Sequence, residues 1–291
     1  MLRVNSDSIS NINGKSYYKG ELFSGVSFSI FDCKVVDAKK YKDGVVLEGY
    51  VNEYFRGLEE GERVVSDCLE PEDEDYDEPV TYEKNRFTGI AYDFDGDFCS
   101  GELHYKNGWL ESELTYYFSG AIEVLELTGQ NFSQKYSWYE DGKINRYEIF
   151  QKGILGIRLE FDQLGRVIVL SIEGQYFEEL CNIVSLIKHP IFDEKKSFDK
   201  ISGGDRLNIY GSSVDDEVFS RLFDNGGLDN TAELRISGTA LSEESIEKIS
   251  HLPKINSLVV ESKDIKERKM KDLKLKRSGC YVEFNGEEVI V

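Results

Sequence analysis

The sequence predicts a β-rich chain: antiparallel β-hairpins over residues 1–174, then a short α/β segment over 175–291 with one strand and one helix per repeat. Three observations predict it. The 291 residues hold 17 Tyr and 17 Phe but only 4 Pro, a composition suited to paired strands, which aromatics pack well and prolines interrupt. Turn signatures built on Asp-Gly and Asn-Gly recur at short intervals in the first part. A longer hydrophobic pattern recurs every 27 residues in the second.

In the first array, Phe23-Ser24-Gly25-Val26 and Tyr41-Lys42-Asp43-Gly44 recur 64 residues later as Phe87-Thr88-Gly89-Ile90 and Tyr105-Lys106-Asn107-Gly108. Tyr54-Phe55-Arg56-Gly57 recurs as Tyr117-Phe118-Ser119-Gly120 with one residue lost. Turns continue at Gly142 and Gly165, 22 and 23 residues beyond Gly120 and Gly142, with Lys152-Gly153 between the last two. Asp-Gly and Asn-Gly suit two-residue hairpin turns because both positions need positive φ. Each unit therefore reads as a hairpin that must stack on its neighbours to bury its aromatics.

In the second array, Leu207, Ile209, Gly211, Val214, Glu217, Phe219, Leu222 and Leu228 reappear as Leu234, Ile236, Gly238, Leu241, Glu244, Ile246, Ile249 and Ile255. A third, partial copy starts at Leu258-Val259-Val260 and includes Ile265. Leu-x-Ile predicts a short strand. The stretch from Ser242 to Pro253 predicts a helix, N-capped by Ser242, with Ile246, Ile249 and Leu252 on one face and Pro253 ending it. A front-capping helix is expected over 175–187, and a closing hairpin over 280–291 on an Asn285-Gly286 turn.

The units Gly20–Gly25, Tyr105–Glu113 and Tyr139–Ile144 resemble the MORN-type repeat in its bacterial variant, and the likeness spans about residues 15–174. The second array resembles a leucine-rich repeat over about residues 205–266, without that repeat's characteristic Asn. The MORN-variant resemblance implies an antitoxin or immunity protein, occluding a secreted toxin by stoichiometric binding. An intracellular scaffold holding different proteins on the two arrays is the alternative.

Charge bears on the partner. The net charge is −20, divided as −15 over residues 1–174 and −5 over 175–291. Such a chain repels nucleic acid and anionic membranes and attracts a basic protein, for instance a nuclease-like toxin. The segment Glu70–Pro79 carries seven acids in ten positions and reads as a solvated insert. Its Glu72, Asp73, Glu74, Asp75, Tyr76, Asp77 and Glu78 are the candidate partner-binding residues, with Tyr76 as an aromatic anchor. The sequence leaves the oligomeric state open.

Residues that would carry catalysis are missing from the pattern. His104, His189 and His251 have no second ligand-type residue at metal spacing, and no nucleophile elbow or phosphate loop occurs. Asp93-Phe94-Asp95-Gly96-Asp97 has alternating acids, but its early glycine favours a hairpin turn over a calcium loop. Gly203-Gly204-Asp205 reads as a turn. No catalytic, cofactor or metal residues are expected, and the chain reads as a non-enzyme. Trp109 and Trp138 are expected in the core. The five cysteines are dispersed and odd in number, so reduced thiols and a cytoplasmic location are expected. A secretory signal and a membrane-spanning apolar run are not expected either.

Overall fold

A computed structural model describes residues 1–55, 61–72, 79–129, 132–173, 203–224 and 226–291. The chain is β-rich, as its composition predicts, and divides into two compact units, Met1–Lys143 and Ile144–Val291. The hairpins from Ile144 onward thus belong with the second unit, although their turn chemistry continues the first array. The expected front-capping helix lies outside the described residues.

The first unit is an internal duplication. A short strand (Leu2–Asn5), a 3-10 turn (Ser6–Ser8), a small three-stranded sheet and a meander of Gly25–Phe31, Lys34–Lys42 and Val45–Gly49 make the first half. Glu62–Val65, Ser66–Cys68, a second small sheet and Gly89–Asp95, Phe98–Lys106 and Trp109–Tyr116 repeat it. Strand registers coincide. Leu2 pairs with Gly25 as Glu62 pairs with Gly89, both in parallel. Lys39 faces Gly49 as Leu103 faces Glu113, and both ladders shift register at the following tyrosine. Equivalent residues lie 60 apart before the acidic insert and 64 apart after it. The difference arises at one place: the tight Asn13-Gly14 turn of the first small sheet is replaced by the longer segment between Glu72 and Pro79.

The two halves contact each other reciprocally. Val4 bridges to Phe98 and Val64 to Lys34; Asn5 N–H donates to Asp97 O and Val65 N–H to Cys33 O, each at 2.8 Å. Such exchange of equivalent contacts is the signature of a local two-fold relation. At its centre Phe28 packs on its own counterpart Tyr92, ring centroids 5.1 Å apart, within a core of Val26, Val35, Ala38 and Cys99. Two smaller clusters repeat the pattern, Val4 with Phe23 and Val64 with Phe87. After the second half the meander continues through Ile122–Gly129 and Phe132–Trp138.

The cysteine expectation is corrected here. Cys33, in a tight turn of the first half, is joined to Cys68, in the 3-10 turn of the second, with Cα atoms 6.0 Å apart. Reciprocal docking brings the two together across 35 residues, which linear spacing does not reveal. Cys99 and Cys280 are free and buried. The disulfide removes the thiol argument for a reducing compartment. Among the described residues no helix is long and apolar enough to cross a membrane.

The second unit runs from antiparallel to parallel pairing. Ile144–Gln151, Ile154–Phe161 and Val167–Ile172 form a meander, turning at Lys152-Gly153 and Gly165 as expected. Val167–Ile172 then pairs in parallel with Gly203–Tyr210. Gly203-Gly204 thus opens a strand and is not the turn expected from sequence. Tertiary packing requires glycine there: a Cβ on Gly203 would meet Thr231 Oγ1 at 2.7 Å and Gly227 O at 2.9 Å.

Parallel strands follow at Glu233–Ser237, Ser257–Glu261 and Tyr281–Phe284, with Leu207, Leu234, Leu258 and Val282 in one register row. Helices α1 (Asp216–Asp224), α2 (Glu243–Ile249) and α3 (Glu267–Lys276) connect them. Ser242 Oγ caps α2 by accepting from Glu244 N–H, as predicted. The helices bury Val218, Phe219 and Leu222, then Ile246 and Ile249, then Met270 and Leu273. The closing Asn285-Gly286 hairpin is present, both residues at positive φ. Its first strand also serves as a fourth parallel strand. Sequence reading missed that copy because Val282 stands where the earlier copies have Leu, and Phe284 where they have Ile or Val.

Candidate interaction surfaces

Of the seven acidic-insert residues, Glu72 is described; Asp73, Glu74, Asp75, Tyr76, Asp77 and Glu78 lie outside the described residues. Glu72 closes the neck of the insert. Its N–H donates to Pro79 O at 2.9 Å, and its carboxylate accepts from Arg86 Nε and Nη2 at 3.0 and 2.8 Å. This carboxylate is thus paired with Arg86 at the start of the insert.

A second surface comes from the second unit. On its parallel strands the row Leu207, Ile209 and their equivalents point into the core, so the intervening residues share the other face. Arg206, Asn208 and Tyr210 stand beside Glu233, Arg235 and Ser237, then Ser257, Val259 and Glu261, then Tyr281 and Glu283. The meander extends this face with Arg146, Arg158 and Glu160. Its arginines are bridged: Arg206 to Glu233 at 2.9 Å, Arg235 to Glu261 at 2.7 Å, and Arg158 to the buried Glu148 at 2.7 Å. Arg235 is held above its ordinary pKa by its hydrogen bond and charge contact with Glu261. Phosphate recognition needs cations free to neutralise it, whereas tyrosine and pre-oriented arginine are the residues that anchor protein interfaces.

The third surface lies on the first unit, above a buried charge. Arg3 and Glu102 form an ion pair with side chains 4% and 0% exposed. The guanidinium carbon sits 4.0 Å from the Tyr116 ring centroid, 4.9 Å from Tyr50 and 5.4 Å from Phe28. Tyr116 and Tyr50 hydroxyls donate to Glu102 Oε1 at 3.1 and 3.3 Å, and Asn52 Nδ2 donates to Tyr116 Oη at 2.8 Å. Burial alone would lower the Arg3 pKa, but its contacts with Tyr116, Tyr50 and Cys99 together outweigh it and raise it. Burial pushes the neighbouring Cys99 thiol up to about 11, so this cysteine is a core residue and not a nucleophile. Tyr50 and Asn52 also line an open cleft of about 480 Å³, together with Met1, Lys40, Glu48 and Val51.

Asp95, Gly96 and Asp97 turn the hairpin Gly89–Asp95/Phe98–Lys106, with Asp93 accepting from Ser66 Oγ and Asp97 from Tyr18 Oη. No group of three or more metal-ligating side chains occurs among the described residues. His104 is buried and stacked on Phe55; His251 is exposed on the turn after α2; His189 lies outside the described residues. Trp138 is buried as expected, but Trp109 is 51% exposed, because it begins its strand beside the Asn107-Gly108 turn.

No protein family and no curated protein matches the sequence. Several solved structures show a remote likeness. The accessory secretory proteins 1, 2 and 3 of Streptococcus pneumoniae align at 13% identity and TM-score 0.20, over 74% of this chain and 41% of that one. The glycosylation-associated Gap123 complex of Streptococcus agalactiae aligns at 12% and 0.21, over 67% and 51%. The GtfA/B complex bound to UDP and GlcNAc aligns at 11% and 0.24, over 89% and 70%. The chain spans about two fifths to one half of the length of the first two.

Proposed function

We propose that this chain is a non-enzymatic protein-binding protein, with MORN-like hairpins leading into a leucine-rich-repeat-like segment. Its proposed role is that of an immunity or antitoxin partner that occludes a basic toxin. The sheet face of the second unit that no described element covers carries this reading. It presents Tyr210, Tyr281 and internally bridged arginines on a rigid ladder whose other side is closed by helices, which is the architecture repeat proteins use for binding. The surplus of acid favours a basic partner and speeds its encounter. The immunity role itself rests on the MORN resemblance. Neutralisation of this kind buries on the order of 1,600 Å².

The test is co-purification of the tagged full chain from its native cells at low salt, in parallel with Tyr210→Ala/Arg235→Ala. The expected result is one basic protein at one-to-one stoichiometry, lost with the double substitution, whose toxicity the chain suppresses. Several unrelated housekeeping proteins, or a partner retained by the variant, would overturn the reading and favour a scaffold.

A further inference from the structure

Beyond the longer segment after Glu72, the duplication in the first unit also breaks at one edge. In the second half, Trp109–Tyr116 is flanked by Phe98–Lys106 on one side and by Ile122–Gly129 on the other. That outer strand pairs through Ser112↔Leu127, Glu113↔Glu126, Leu114↔Leu125, Thr115↔Val124 and Tyr116↔Ile122. The equivalent residues of the first half, 64 positions earlier, run from Glu48 to Asn52. Lys34–Lys42 pairs with Glu48 and Gly49 on the inner side, the strand Val45–Gly49 runs on without regular pairing through Tyr50–Asn52, and among the described residues no strand covers the outer side. The cleft of about 480 Å³ lies along this stretch.

Local details agree. Tyr50 N–H is bound inward to Ala38 O at 2.7 Å, while the Val51 backbone has no hydrogen-bond partner among the described residues. Val51 is an exposed large apolar residue within this stretch, and Val45, Val46 and Leu47, just before it on the same strand, are exposed too. An uncovered edge with consecutive apolar side chains is a template for strand addition, which natural sheets usually block.

We propose that the edge Glu48–Asn52 is a strand-acceptor site for an extended segment of a partner protein. The segment pairs antiparallel and sets an apolar side chain opposite Tyr50, as Leu125 stands opposite Leu114. Its flanks are basic, complementing the −15 charge over residues 1–174. Ile122–Gly129 is the internal template for this occupant. The site goes beyond the open face of the second unit, and either can fail without the other.

The probe is a fluorescent peptide, KKAIEVLELTGKK, carrying this chain's own template strand between lysines, titrated by anisotropy against the full chain. Val51→Pro removes the outward N–H at the proposed site and leaves the Trp109–Tyr116 edge unchanged; its thermal midpoint, read by tryptophan fluorescence, checks that the fold persists. Saturable binding weakened at least tenfold by Val51→Pro, with peptide-dependent amide-exchange protection confined to residues 48–52, is the expected result. Equal binding to both proteins, protection elsewhere, or no binding up to millimolar peptide overturns the proposal. So does concentration-dependent dimerisation of the free chain that Val51→Pro abolishes, because a second copy is then the occupant.

Discussion

Replacing Glu102 by Leu tests how the strand Leu2–Asn5 is held. The substitution removes the carboxylate that pairs with Arg3 and accepts from Tyr50 and Tyr116. It leaves a guanidinium at 4% exposure with one neutral hydrogen bond, to Tyr50 Oη at 3.0 Å, and three aromatic faces. Breaking a buried pair on one side costs about 3–5 kcal/mol. The rings retain part of the cation's stabilisation, since each such contact contributes about 0.5–2 kcal/mol, so the lower end applies, about 3 kcal/mol. With an unfolding entropy of about 2.1 cal/mol/K per residue, that corresponds to a fall of about 10 °C for the Met1–Lys143 unit. Both tryptophans of the chain, Trp109 and Trp138, lie in this unit, so their fluorescence in a urea or thermal scan reports its transition selectively. Arg3→Met/Glu102→Leu removes both charges and should recover most of the loss, and neither effect should respond much to salt, which screens buried pairs weakly. A shift below about 1 kcal/mol for Glu102→Leu, a size typical of solvated pairs, would refute burial of the pair. A double variant no better than the single one would show that packing, and not charge, was lost.

Two further outcomes follow from other contacts. Cys33→Ser should destabilise the first unit by about 4 kcal/mol on the chain-entropy relation for a loop of this length, and a reducing agent should lower the tryptophan-detected midpoint of the wild type but not of the variant. In the second unit, Glu247 accepts from Lys269 at 2.6 Å and also from Lys276, and these side-chain hydrogen bonds hold its carboxyl down to about 2 from the ordinary 4.5. A depressed folded pKa gives stability that is present above the unfolded value and lost as pH falls through the folded one. Glu247→Gln should therefore lower the midpoint of helix loss by circular dichroism at pH 7, and the gap to wild type should close between pH 4.5 and about pH 2. A gap independent of pH would count against the ion pairs.

The order of elements and much of the turn chemistry were legible in the sequence, because both are local. Asp43-Gly44 and Asn107-Gly108 need only their own positive φ to reverse the chain, and Ser242 needs only the next turn of backbone to cap its helix. The inward rows Leu207/Leu234/Leu258 were legible because stacking equivalent strands repeats the same burial. The tertiary structure alone decided which distant groups meet. Reciprocal docking of the duplicated halves set Cys33 against Cys68 and Arg3 against Glu102, pairings that no linear spacing encodes. It decided that Gly203-Gly204 begins a strand, because the close neighbours that exclude a Cβ come from Gly227 and Thr231. Among the described residues, the tertiary structure also leaves the edge Glu48–Asn52 without the strand that its counterpart Ser112–Tyr116 has.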